Sequence, residues 1–372
     1  MISRTIVDYD LEMLREAFEE VITSGQFVNG PKAKAFEQGV CDYVGVKHCI
    51  GVNSGTTALL LAYKILGAEK ILTTPFTFSA TAMAGLFQNM EVVFCDIEPE
   101  TYCMDMEDVE RKLKEHGDID VVVPVHIFGA GSDMNRLGEL KEEYGFKVVS
   151  DSAQAFGTRI NGHFAGGHPS IDLSCFSLYP TKNLSCAGDG GFITTNDEKL
   201  YEKLIRYRDN GRYKNTEIIG SGGNFRLSEV QACIAHKLLV RFDEQQANRE
   251  LIAEYYFDNL KTLEQEGIIK LPKRGSNRTH TYHLYCLELN HHRPQEVIPK
   301  LKELGIGTTP AYGYLITDYD MLEVGEPYDT EKYPVAREIT NKLLAIPLSQ
   351  YMSLKQAKEV VDALHKVLGE GE

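Results

Sequence analysis

The sequence predicts an α/β protein: a mainly parallel sheet covered on both faces by helices, followed by a smaller α+β domain. Two observations point there. Between Lys70 and Ser177, short strands that are apolar throughout alternate with amphipathic helical patterns, as happens when crossover helices bury both faces of a parallel sheet. Beyond about Gln245 the pattern changes to one apolar strand between longer helices. We therefore expect two domains, residues 1–245 and 246–372, which suits a 372-residue chain.

The elements follow in order. Asp10 opens a helix carrying Leu11, Leu14, Phe18, Val21 and Ile22, and Gly25 ends it. Pro31, a residue suited to a first helical turn, opens a second helix that stops near Gly45. A strand, His48 to Val52, leads through Asn53-Ser54-Gly55-Thr56-Thr57 into a third helix. Strands are then expected at Ile71–Thr74, Val92–Phe94, Val121–Val125, Val148–Val149, Leu173–Ser177 and Gly190–Thr195. Helices are expected at Ala80–Gln88, Met106–Glu115, Met134–Tyr144 and from Asp197 through Arg208. A Gly-rich polar stretch follows, and Arg226 to Leu260 reads as one long helical region bridging the domains. The second domain carries a strand at His283–Glu288 and helices at Pro294–Leu304 and Ser353–Leu368.

Composition narrows the function. The net charge of −15 argues against a nucleic-acid surface, which needs clustered Lys and Arg, but leaves room for a locally basic pocket. The eight cysteines lack CxxC or Cys/His ligand spacing and mostly lie in apolar runs, so they read as reduced, buried thiols without a metal. Neither a signal-peptide pattern nor an apolar run of bilayer length is present, and the expectation is a cytoplasmic protein that does not enter membranes.

In parallel sheets ligands bind beyond the carboxyl ends of the strands, and Ser54–Thr57, Phe78, Asp151 and Lys182 all fall at such ends. Lys182 is the one charged side chain between residues 173 and 188, and a partly desolvated lysine is a nucleophilic amine. Asp151, at the end of a neighbouring strand, either caps a turn or meets that lysine across a pocket. The second arrangement suits pyridoxal phosphate (PLP): the amine forms a Schiff base with the cofactor aldehyde and the carboxylate keeps the ring nitrogen protonated. Ser54-Gly55-Thr56-Thr57 is either a plain N-cap or an anion site at a helix start. Phe78 is either core or a ring-stacking face, and Gln154 either bonds backbone or approaches the cofactor's phenolic oxygen.

Seven blocks in order, NSGTTAL (53–59), TPFTFSAT (74–81), PVHIFG (124–129), SDSAQAFG (150–157), FSLYPTKN (176–183), GDGGFITT (188–195) and GGNFRLSEVQA (222–232), make the chain resemble the DegT/DnrJ/StrS aminotransferases. The resemblance continues more faintly through TYHLYCLEL and AIPLSQYMS. It implies a fold-type-I PLP-dependent transferase with a mainly parallel seven-stranded sheet. It also implies an amino donor, L-glutamate, and a keto-sugar acceptor, mostly nucleotide-linked. By position, Lys182 would carry the cofactor and shuttle protons, Asp151 would pair with the ring nitrogen, Gln154 would approach the phenolic oxygen and Phe78 would stack on the ring. Ser177 and Gly55-Thr56-Thr57 would hold the cofactor phosphate. Asn224 would reach the phosphate of a neighbouring subunit, implying a homodimer with shared sites. Family members with histidine in place of the lysine are dehydratases; Lys182 therefore favours transamination.

The family's usual acid before the aspartate is Ser150 here, and Ser152 replaces a small apolar residue. Tyr312, His283 and Arg226 are candidate substrate contacts. The competing readings are a cysteine desulfurase or carbon–sulfur lyase of the same fold type, for which Cys186 would be the loop cysteine, and a PLP-binding regulatory protein without turnover.

Overall fold

The computed structural model of the chain describes residues 1–3, 9–213, 217–274, 277–318 and 332–369. Seven strands form the main sheet: β1 (His48–Val52), β2 (Lys70–Thr73), β3 (Glu91–Phe94), β4 (Val121–Val122), β5 (Lys147–Asp151), β6 (Leu173–Ser177) and β7 (Gly191–Thr195). Their order across the sheet is β1-β7-β6-β5-β4-β2-β3. β7 pairs antiparallel with both of its neighbours, and the β6-β5-β4-β2-β3 run is parallel.

The expected Val121–Val125 strand stops at Val122. Pro124 has no N–H to give a ladder, and pairing resumes only as a bridge between Val125 and Asp151. That bridge aligns the chain after β4 with the end of β5, which carries the acid.

Helices α1 (Leu11–Ser24), α2 (Pro31–Val44), α3 (Gly55–Leu66), α4 (Ala80–Leu86), α5 (Met106–His116), α6 (Met134–Tyr144) and α7 (Glu198–Arg208) cover the sheet. Asp10, Asp105, Asp133 and Asp197 cap α1, α5, α6 and α7 with side-chain oxygens, and glycines in the left-handed region close α1, α5 and α6. One face of the sheet packs on α3 through Ile50, Val121, Val149, Cys175 and Ile193. The other packs on α1 and α2 through Phe36, Phe176 and Phe192, the last two stacked with centroids 4.5 Å apart.

The expected single helix from Arg226 to Leu260 is two helices, α8 (Glu229–Val240) and α9 (Phe242–Gln265). Ser228 caps α8 by accepting from Gln231 N, which leaves Arg226 outside it, and Arg241 leaves helical geometry at φ −102°, ψ 7°. Gln245 falls inside α9, whose start packs with the main sheet through Phe242 and whose later residues, Ile252 to Leu263, pack with a second core. That second core covers an antiparallel sheet of β8 (Ile269–Lys270), β9 (Tyr285–Leu289), β10 (Thr309–Pro310) and β11 (Leu343–Ile346), ordered β8-β9-β11-β10. Helices α10 (Pro294–Glu303), α11 (Pro334–Thr340) and α12 (Leu354–Gly369) complete it. No helix among the described residues is long and apolar enough to cross a membrane.

Candidate active site

A cleft of about 600 Å³ opens beyond the carboxyl ends of β1, β5 and β6, lined by residues of both sheets' connections. Gly55, Thr56, Phe78, Asp151, Gln154, Ser177, Lys182, His283 and Tyr312 all line it. Nine of the twelve residues singled out from the sequence thus meet in one place.

Lys182 follows β6 in a loop whose ends are pinned. Its backbone N donates to Tyr179 O at 2.8 Å, and Cys186 N donates to Leu178 O at 3.0 Å. Leu178, Leu184 and Cys186 are buried in the core beneath, so the loop is anchored and the half-buried lysine is held at the rim of that core. Asp151 closes β5 and is buried. Its Oδ2 accepts from Thr81 Oγ1 at 2.7 Å and its Oδ1 from Ala153 N at 3.1 Å. Burial raises its carboxyl above the ordinary range; these two donors and the nearby charge of Lys182 pull in the opposite direction.

The start of α3 supplies the third part. Ser54 caps the helix, accepting from Thr57 N at 3.0 Å, and its hydroxyl also meets Thr57 Oγ1 at 2.9 Å. Thr57 is taken up in that cap and does not line the cleft. The N–H groups of Gly55 and Thr56 lie in the first turn, where no intrahelical acceptor exists, and the helix dipole adds positive potential. A Cβ on Gly55 would stand 2.8 Å from Ser177 Cβ, so glycine is required for α3 to approach β6 this closely.

Phe78 is 60% exposed although it lines the cleft, leaving a ring face available for stacking. Gln154 is buried, and its amide bonds Phe128 N and the Tyr312 hydroxyl. His283 Nδ1 lies 3.0 Å from Asn183 Oδ1. Asn183 Nδ2 donates to Thr281 O, so its oxygen faces the ring and accepts the Nδ1 proton.

Besides Thr57, two candidates lie outside the cleft. Asn224 is exposed, and its carbonyl accepts from Asn53 Nδ2 at 3.3 Å. Arg226 is ion-paired with Asp209.

Thr81 and Asn183 are site residues that sequence reasoning passed over. Thr81 lay in the TPFTFSAT block and Asn183 directly after Lys182, but neither residue type announces a bond to a partner so far along the chain. All eight cysteines are buried and free, and burial pushes the Cys186 thiol up to about 12. An unreactive buried thiol is the wrong group for a sulfur-accepting loop, which removes the cysteine that a desulfurase would need. Among the described residues no cluster of three or more His, Cys, Asp or Glu could hold a metal.

The arrangement joins an amine, a buried carboxylate, a helix start with free N–H groups and an exposed aromatic face. Comparison with known proteins agrees with that chemistry. The sequence profile of the DegT/DnrJ/EryC1/StrS aminotransferase family matches residues 9–365. A dTDP-3-amino-3,4,6-trideoxy-alpha-D-glucose transaminase from Micromonospora megalomicea is 31% identical, with 98% of this chain and 97% of that protein covered. A 3-oxo-glucose-6-phosphate:glutamate aminotransferase from Bacillus subtilis is 26% identical, with 99% and 82% covered. The crystal structure of ntda from Bacillus subtilis with bound cofactor PMP superposes with a TM-score of 0.89 at 25% identity, covering 99% of this chain and 84% of that one.

Proposed function

The chain belongs to the DegT/DnrJ/EryC1/StrS aminotransferase family, and from that premise we propose that it moves the amino group of L-glutamate to a nucleotide-linked keto-sugar, using PLP in the cleft at Lys182. The observation that carries the reading is the convergence of Lys182 and buried Asp151, from the ends of adjacent strands, on one cleft with the start of α3. A relative named for a dTDP-linked amino sugar supports the acceptor class, and one whose name includes glutamate supports the donor.

The residues fit the cofactor. Asp151 is a buried carboxylate whose two hydrogen-bond donors are neutral, which suits a protonated ring nitrogen as its positive partner. The α3 turn and Ser177 offer donors to a phosphate, with Gly55 leaving the room a Cβ would fill. Phe78 offers a face to the ring, and Gln154 an amide to its oxygen substituent. When bound, the cofactor supplies a protonated aromatic ring that delocalises the electron pair left by removal of an α-proton.

The chain's own residues do the rest. Lys182 is the amine that would hold the cofactor through its aldehyde and be set free when the amino donor binds. Its free Nζ takes the proton from Cα of the amino acid as general base. In the second half-reaction it delivers a proton to the sugar carbon that receives the nitrogen, so one amine serves both directions of a ping-pong cycle. Asp151 would pair with the ring nitrogen and hold its proton in place. Asn224, exposed and outside its own cleft, suits a role at a neighbouring subunit's phosphate in a homodimer.

The test is amino transfer from L-[15N]glutamate, with mass detection of the sugar product. One arm offers a nucleoside-diphosphate keto-sugar and another a keto-sugar 6-phosphate. Label in the first product supports the reading, label only in the second moves the acceptor to simple sugar phosphates, and label in neither rejects it.

A further inference from the structure

One contact in the cleft has no part in the chemistry above. Gln154 Oε1 accepts from Phe128 N at 2.7 Å, and Gln154 Nε2 donates to the Tyr312 hydroxyl at 2.7 Å. A backbone N–H can only donate, so the amide atom facing Phe128 is the oxygen, and the bonding itself orients the amide. Nε2 carries two hydrogens. One goes to Tyr312, and the geometry of a planar amide turns the other elsewhere. Gln154 lines the cleft, so that second N–H is the donor it can present there.

The clamp is built with some effort. The rings of Phe128 and Tyr312 stack with centroids 5.8 Å apart and planes 21° from parallel. Both residues hold left-handed backbone, φ 58° and 51°, which bulky side chains keep only where the surroundings impose it. The parts also come from different sheets. Phe128 and Gln154 follow β4 and β5, whereas Tyr312 follows β10 of the second sheet. The amide at the cofactor site is therefore oriented by how the second sheet seats against the first.

We propose that Tyr312 is a positioning residue rather than a substrate contact: its hydroxyl holds the Gln154 amide so that the remaining N–H faces the oxygen substituent of the cofactor ring. The proposal rests on the reading of the cleft as a PLP site. Tyr312 then governs how strongly the protein distinguishes a cofactor that carries this oxygen from one that lacks it.

The test measures dissociation constants of pyridoxamine phosphate and its 3-deoxy analogue for the full-length apo-protein, Tyr312→Phe, Gln154→Ala and the double variant. Wild type should prefer pyridoxamine phosphate. Tyr312→Phe should cut that preference roughly 3- to 10-fold, the range of one lost neutral hydrogen bond. Gln154→Ala should abolish it, and Tyr312→Phe should change nothing further in that background. An equal loss for both ligands, or the same loss in the Gln154→Ala background, would overturn the positioning role. Should Tyr312→Phe not fold, a preference that survives intact in Gln154→Ala overturns it equally. Wild type binding pyridoxamine phosphate with an unchanged preference in Tyr312→Phe sinks the inference alone, whereas wild type binding neither ligand rejects the PLP reading beneath it.

Discussion

Gly55→Ala probes the proposed cofactor cradle through a clash that can be measured. The new Cβ would lie 2.8 Å from Ser177 Cβ, 3.2 Å from Ser177 Cα and 3.3 Å from Ser177 Oγ. Ordinary contact between such atoms begins near 3.5 Å, so a displacement of roughly 0.5–1 Å is required. Ser177 ends β6, which is hydrogen-bonded on both sides, and it cannot withdraw. The first turn of α3 must move instead, carrying the Gly55 and Thr56 N–H groups away from the phosphate they would hold in the proposed PLP site. Weakening one charge-assisted bond costs about 1.5–3 kcal/mol, or roughly 10- to 100-fold in affinity. The assay compares pyridoxamine phosphate with pyridoxamine. The loss should appear for the phosphorylated ligand and stay below about twofold for the other. An equal loss for both, or none for either, refutes the assignment of the α3 turn to the phosphate.

Two further outcomes are expected. Lys182→Ala should lose turnover by several orders of magnitude while still binding pyridoxamine phosphate, measured by single-turnover kinetics and equilibrium dialysis; near wild-type turnover would remove the lysine from the mechanism. Part of the pH dependence of stability follows from His126, buried, and His280, half-buried, whose Nδ1 atoms accept from Ser132 N and Tyr282 N and whose desolvation lowers each to about 3. The unfolded chain protonates both near pH 6.5 while the folded chain does not, so their stabilising contribution is present above that pH and is lost as pH falls below it. Between pH 8 and pH 5, urea denaturation should show a loss of about 2 kcal/mol from each of these histidines, to which buried His168, lowered to about 4, adds, and His126→Gln should shrink the difference by about 2 kcal/mol; an unchanged difference contradicts the buried neutral state.

Much of this was legible because it depends on short-range pattern. α6 spans Met134–Tyr144 as read, since Asp133 caps its start and Gly145 its end. β6 spans Leu173–Ser177 as read, a short run with Leu173, Cys175 and Phe176 and no charged residue, ending where the Tyr179-Pro180 loop begins. Lys182 and Asp151 were readable as chemistry because each stands where a strand ends and a polar loop begins.

What escaped was long-range. Thr81 meets Asp151 across 70 residues and His283 meets Asn183 across 100, and neither residue type signals such a bond. The break at Arg241 carries no Gly or Pro; it arises where α8 stays on the main sheet and α9 crosses to the second core. Tyr312 was readable as a cleft residue, but its grip on Gln154 depends on two sheets meeting, which no local pattern encodes.

The central claim is that Lys182 carries PLP and that the loaded protein accepts an amino group. The most direct test is the visible spectrum of the purified protein after incubation with PLP, before and after L-glutamate is added. The account requires a yellow band that moves to the near-ultraviolet with glutamate and is missing in Lys182→Ala. A wild-type protein without that band would contradict the account at Lys182, and a band indifferent to glutamate would contradict the donor.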